Sequence, residues 1–436
     1  MSAMPCNAIP SATEAARHSG SGVCWGGMSL LLALLPVFAG VRLNAQTRSL
    51  DDFLRTAQVN NPLLGNRSFQ LAALTLDSEE VRAAHGPQVG ANGQFLYAPY
   101  GAHWGYDPAI TNGGLYAAVL GASIPIFTAG RKQASLDSIA VLGSTVLNGT
   151  EGSLMELRQQ VTDLYINTFS DQRALAEAAQ RSVLLEAEDR VLTRLAGQGI
   201  YQQVDVVNLR VNAQAQRIAV RKAKALLRND LLSLNALCGI VDTSLVTLAP
   251  LGLAAPVGFD PSTSPRLRQF TMDSIANAIA DRQVDLNYRA RLSAVGDAGL
   301  NAVAISGATD HFGASAGLNL SVPIYDGNRR RTQHGKIALF EKGRRAQQDF
   351  YAVQVRLRHE QLEQALGNAD SLLAGTQRQY ADEVKLIDLY RVELEHGLVR
   401  LTDLFLVLEN HARTTADLIQ AEAERSRIIN ALIHLQ

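Results

Sequence analysis

The chain has 436 residues, room for two or three ordinary domains, and 47% of them are hydrophobic. A net charge of −1 gives no global basic field of the kind that draws nucleic acid, so no nucleic-acid partner is expected. Cys6, Cys24 and Cys238 form no CxxC pair and stand beside no histidine cluster, which argues against a zinc site, a disulfide framework or any other cofactor.

Near the start, Leu30 to Val41 is an apolar run broken by Pro36. It is short for a membrane helix and suits the core of a signal peptide. Leu43-Asn44-Ala45 offers a small residue at the cut, so residues 1–45 read as a signal peptide cleaved after Ala45; an uncleaved signal anchor is the alternative. After Ala45 no run of about 18 apolar residues remains, so any membrane span must be built from strands, which show as alternation rather than hydropathy.

Ser49 to Asn60 predicts a short helix, opened by an S-x-x-D cap and stopped by Asn61-Pro62. A second helix is expected over Leu64 to His85, stopped by Gly86-Pro87. Strands follow at about 88–98 and 114–126; in the second, Tyr116, Ala118, Leu120, Ala122 and Ile124 face one way. Tyr100, Trp104 and Tyr106 in the loop between them fit either an interface girdle or an ordinary surface loop. From Arg131 to about Ala196 the apolar residues step by three or four, which predicts a very long helix with a kink or local break near Asn148-Gly149. Gly199 turns it, and a returning helix runs from Gln203 to Leu237.

Residues 239–270 are rich in proline and read as a linker. Helix resumes from Thr271 to about Ala294, with strands expected at about 300–308 and 312–324. In the last, Phe312, Ala314, Leu318 and Leu320 alternate with Gly313, Ser315, Asn319 and Ser321. Arg329 to Glu395 is a second very long helix, Gly397 turns it, and Leu401 to Leu435 returns. Subtracting 198 from the later numbers lays Pro323 on Pro125, Arg329 on Arg131, Gly397 on Gly199 and Asp403 on Asp205. One constant offset over so long a stretch marks two tandem repeats, 46–238 and 271–436.

Four sets of residues carry a family resemblance: Ala57…Asn61-Pro62, Pro125-Ile126-Phe127…Gly130-Arg131, Val322-Pro323-Ile324-Tyr325-Asp326-Gly327…Arg329, and the two Gly-x5-Asp turns. In their order and spacing the chain resembles the TolC-like outer-membrane efflux family, over nearly everything after Ala45. The resemblance implies an α+β membrane protein. Each repeat gives a β-hairpin to a trimeric 12-stranded outer-membrane β-barrel and a long antiparallel helical hairpin to a periplasmic α-barrel. Four strands cannot stay unclosed in lipid, and the residues alone would also allow a dimer with eight strands.

The resemblance further implies the outer-membrane channel of a tripartite efflux or type I secretion system, localised to the outer membrane and reaching into the periplasm. Its expected partners are a homotrimer, outer-membrane lipid, a periplasmic adaptor (membrane fusion) protein and an inner-membrane transporter. Asp403 falls where the family narrows its tunnel mouth, and Asp205 with Arg400 would form a latch between neighbouring hairpins; as simple helix caps, Asp205 and Asp403 need neither role. The family also implies that Gly199 and Gly397 mark the adaptor-contact turns. Two family positions differ: Leu406 stands in place of a second aspartate, and Val399 in place of an arginine. Ser315, Asn319 and Ser321 would line the lumen. Arg131, Lys132 and Arg329 to Arg331 sit where strands become helices, as headgroup anchors or as solvated first turns.

Gly313-Ala314-Ser315-Ala316-Gly317 formally matches G-x-S-x-G, but the serine lies in mid-strand and not at a strand-to-helix elbow, so no enzyme is expected. The rival is a periplasmic coiled-coil adaptor or structural protein that keeps the hairpins without a barrel.

Overall fold

A computed structural model describes residues 47–101, 103–261, 264–396 and 398–435. The signal peptide expected at 1–45 and the turn residue Gly397 lie outside the described residues.

Helix α1 spans Leu50–Asn60 and α2 spans Pro62–Ala84. Ser49 and Asp52 close a reciprocal cap: the Ser49 backbone N–H donates to Asp52 Oδ2 at 3.0 Å, and the Asp52 N–H donates to Ser49 Oγ at 3.3 Å. Asn61 serves both helices. It ends α1, and its side chain accepts from the Leu63 N–H at 3.0 Å, while Pro62 takes the first helical position, where no amide hydrogen is needed.

Strands β1 (Gln88–Tyr97) and β2 (Gly114–Phe127) pair antiparallel and lead into α3, Arg131–Gly197. At 67 residues this helix is about 100 Å long. It runs on through Asn148-Gly149 without the local break that was one of the two expectations there. Asn148 is buried and donates to Pro265 O at 2.8 Å. Gly152 faces the same proline, where a Cβ would make an ordinary contact with Pro265 at 3.7 Å. Helix α4, Gln203–Leu237, returns.

After the linker, α5 covers Pro265–Asn287, β3 covers Arg291–Ala302, β4 covers Phe312–Ser321, α6 covers Arg329–Glu395 and α7 covers Leu401–His434. The third strand is a correction: it was expected at about 300–308, but Ile305–Asp310 is a short 3-10 turn and the strand begins at Arg291. Helix α5 correspondingly stops at Asn287 rather than near Ala294. The last strand ends at Ser321 rather than Ile324, because Ser321 pairs with Arg291, the first residue of β3. The sheet order is β1-β2-β3-β4, antiparallel throughout.

Packing is concentrated where helices meet. Phe53, Ala57, Val161, Tyr165, Leu231, Leu234, Cys238 and Leu248 form one core, joining α1 to α3, α4 and the linker. A parallel pairing of Thr47–Arg48 with Thr247–Leu248 lies over it, and the Tyr165 hydroxyl is 2.7 Å from Ala249 O and 3.1 Å from Arg48 O. A second core joins the far ends of both helical hairpins through Leu192, Val206, Leu209, Leu394 and Leu404. Among the described residues no helix is long and apolar enough to cross a membrane.

Candidate functional site

The register sorts the sheet's side chains into two unlike faces. Across β1 to β4, the row Ala91–Leu120–Ala298–Ala314 lies on one face, with Val89, Phe95, Tyr116, Leu292, Leu318 and Leu320 above and below it. The opposite face carries Gln88, Asn92, Gln94, Ser123, Ser293 and Asp297, with Ser315, Asn319 and Ser321 from β4. The apolar face is bare: Leu318 is 69% and Leu320 64% exposed. Among the described residues, the outer edges of β1 and β4 pair with nothing. Ser315 Oγ donates to Asp297 Oδ2 at 2.6 Å across the strand pair. Asp297 escaped the sequence reading because the third strand was placed after it.

Below the sheet, both strand-to-helix turns use the same backbone. Ala129 and Gly130 have φ of 50° and 83°, and Gly327 and Asn328 have 62° and 68°. These left-handed pairs aim α3 and α6 away from the strands, and an alanine in this conformation is uncommon. Arg131 then donates to Leu286 O at 2.9 Å, and Arg330 donates to Asp285 Oδ1 at 2.7 Å. Arg330 also lies over the Tyr288 ring. His334 contacts two carboxylates, Asp281 at 2.6 Å through Nδ1 and Asp285 at 3.0 Å through Nε2. Hydrogen bonding to Asp281 raises the His334 pKa, and the Arg330 guanidinium lowers that of Asp285. The Arg330 backbone N–H, at 2.6 Å, helps hold Asp326 below the usual carboxylate range.

At the far end, Gly199 has a φ of 80°, as a turn glycine needs, and Ile200 N–H donates back to Leu195 O at 3.1 Å. Asp205 accepts from the Gln202 backbone N–H at 3.1 Å, as a helix-capping carboxylate does. Arg400 is the N-cap of α7, and Asp403 sits exposed in that helix's first turn. Among the described residues no ion pair joins Asp205 to Arg400 within the chain. The two tips are joined instead by Tyr201, whose hydroxyl donates to Val399 O at 2.8 Å. Behind them Glu188, 4% exposed, is held by Arg391 at 3.1 Å. Neither pair was singled out from sequence, although a glutamate between Leu185 and Leu192 on the apolar stripe of α3 was a visible signal.

An edge-exposed sheet with one apolar face, mounted on two 67-residue helices, is a fold shared with solved outer-membrane channels. No family model matches the chain, and no curated protein does either. Among solved structures it is similar to the outer membrane protein VceC of Vibrio cholerae, at 12% identity over 88% of this chain and 95% of that one, with a TM-score of 0.68. It is also similar to CusC, described for transmembrane channel formation, at 13% identity, 88% and 91% coverage and a TM-score of 0.72. The open state of the Neisseria gonorrhoeae MtrE outer membrane channel aligns at 14% identity, 88% coverage of each chain and a TM-score of 0.64.

Proposed function

We propose that the chain is the outer-membrane channel of a tripartite efflux or type I secretion assembly: a passive conduit, not an enzyme, anchored in outer-membrane lipid and reaching into the periplasm. The observation that carries this is the four-stranded sheet whose apolar face is bare and whose two outer edges are open. In lipid each unsatisfied backbone group costs several kcal/mol, so closure requires further copies of the chain.

The halves are read as tandem repeats related by the offset of 198, and this supplies the assembly rule. Helix α3 packs on α5 and α7, whereas its counterpart α6 has no comparable packing on α2 or α4 within the chain. The same contacts are therefore made between copies, head to tail, by α6 of one on α2 and α4 of the next. Exposed Phe69 and Leu76 of α2, Val211 and Ile218 of α4, and Leu339 and Phe350 of α6 fit this burial. Likewise β4 would pair with the next copy's β1, as β2 pairs with β3. Three copies are favoured over two. An eight-stranded barrel is only wide enough for its own side chains to fill, which leaves no conduit, whereas twelve strands enclose an open lumen.

The helical tips, with Gly199 and Gly397, would meet a periplasmic adaptor joined to an inner-membrane transporter. Asp403, exposed at the tip, would form a ring of three carboxylates at the tunnel mouth, and Asp205 with Arg400 would have to latch between copies rather than within one. Planar-bilayer recording of the mature protein, cut after Ala45, tests the reading. Small, stable, cation-preferring steps that lose part of that preference in Asp403→Asn support it. A well-folded helical sample that never inserts would instead establish the coiled-coil adaptor.

A further inference from the structure

Of the residues in the four strands, only two are charged: Arg291, the first residue of β3, and Asp297 at its middle. Asp297 is exposed, makes one hydrogen bond, from Ser315 Oγ at 2.6 Å, and meets no cationic side chain among the described residues. Its row across the sheet reads Gly90–Gly121–Asp297–Ser315. No bulky neighbour in that row shields the carboxylate. The fold does not account for this residue. Aspartate is disfavoured in strands, and an exposed Asp–Ser bond adds little stability. A carboxylate at this depth is tolerated only where its face meets water.

We infer that Asp297 sets the charge preference of the barrel lumen, as a ring of three carboxylates at mid-sheet that admits cationic solutes and disfavours anionic ones. This rests on the barrel reading. Twelve strands about 4.8 Å apart and tilted by about 40° close at a radius of about 12 Å. The carboxylate oxygens then lie about 9 Å from the axis. The screening length is about 8 Å at 0.15 M salt, about 30 Å at 0.01 M and about 3 Å at 1 M. In dilute salt the field of the ring therefore reaches the centre of the pore, and in 1 M salt it stays at the wall. Three unit charges at that distance bias the cation-to-anion ratio on the axis by about thirtyfold at 0.01 M, and by less than about twofold at 1 M. Arg291 is six residues away, about 20 Å along the strand, and does not cancel the ring in ordinary salt. Asp403 lies beyond the 67-residue helix, so the two rings act separately.

The test is the K+ to Cl− permeability ratio of the full chain in planar bilayers. Wild type is compared with Asp297→Asn, Asp297→Lys, Asp297→Glu and Asp403→Asn, at about 0.01 M and about 1 M KCl, after each trimer is checked by heat-modifiable migration. The expected result is a several-fold lower ratio in Asp297→Asn at low salt, a further fall in Asp297→Lys, a retained ratio in Asp297→Glu, a separate fall in Asp403→Asn, and convergence of all of them at high salt. Conducting channels whose low-salt ratio ignores both changes of charge at 297 would overturn the inference and leave the barrel standing. Loss of ratio in Asp297→Glu, which keeps the charge, would also overturn it. Wild-type protein that forms no channel at all would remove the barrel reading and this inference together.

Discussion

Tyr201 donates to the carbonyl of Val399, 2.8 Å away and 198 positions along the chain. The same interval separates Arg131 from Arg329, the first residues of the two long helices. The tips of the two hairpins therefore meet at matching positions, and a single hydroxyl ties them. Tyr201→Phe keeps the ring and removes the tie, at a cost of about 0.5–1.5 kcal/mol. Amide hydrogen exchange is expected to quicken near residues 200–205 and 398–404 and to stay unchanged in the sheet. Equal protection at the tips would show that the bond carries no restraint.

The two faces of β4 make opposite predictions one residue apart. Leu320→Arg places a cation on the apolar face, costing about 2–4 kcal/mol per site near the bilayer midplane, and trimer yield on unheated gels should collapse. Asn319→Arg points to the polar face and should assemble. Similar yields from both would sink the face assignment.

His334 uses both ring nitrogens on carboxylates, at 2.6 and 3.0 Å, and carboxylates only accept. The doubly bonded ring is therefore an imidazolium, in keeping with its raised pKa. Its contribution is fully present below the unfolded value of about 6.5 and is lost as pH rises through the higher folded value. Wild type should melt on the order of 2 °C above His334→Gln at pH 6, and the gap should close by pH 9. A gap that does not vary with pH would remove the charge from the account.

Asp171 on α3 is half-buried against Asp230 on α4, and burial together with the hydrogen bond to Asp230 pushes its pKa up to about 7 from 3.8. Its stabilising effect is complete below 3.8 and is lost as pH rises through about 7, when two like charges face each other. Asp171→Asn supplies a neutral partner at every pH. Its melting temperature at pH 8 should exceed that of wild type, while the two converge in acid. Parallel melting curves across that range would show that Asp171 is not held protonated by its surroundings.

Much of the architecture was legible because long elements repeat their signal. The stripes of α3 and α6 recur over 67 residues, and Ser49, Asn61-Pro62 and Gly199 act through their own local chemistry. The third strand was not legible, because its apolar face is Leu292, Ala294, Gly296, Ala298 and Leu300. Small residues blur a period of two, and the preceding helix seemed to continue through them. Losing that strand also hid Asp297, whose meaning comes from the partners beside it. Tyr201 and Glu188 were hidden for a related reason: each depends on a contact made about 200 residues away.

Thr47 pairs with Thr247, and the Asn60 amide donates to Cys238 O at 3.0 Å. A chain delivered from its N-terminus thus cannot seat its first helix until the linker has followed. The entropy of closing so large a loop grows only slowly with length, but the waiting time is set by delivery. Until then Phe53 has no core to enter. The strap across Tyr165 thus marks the step at which the first helix gains its core.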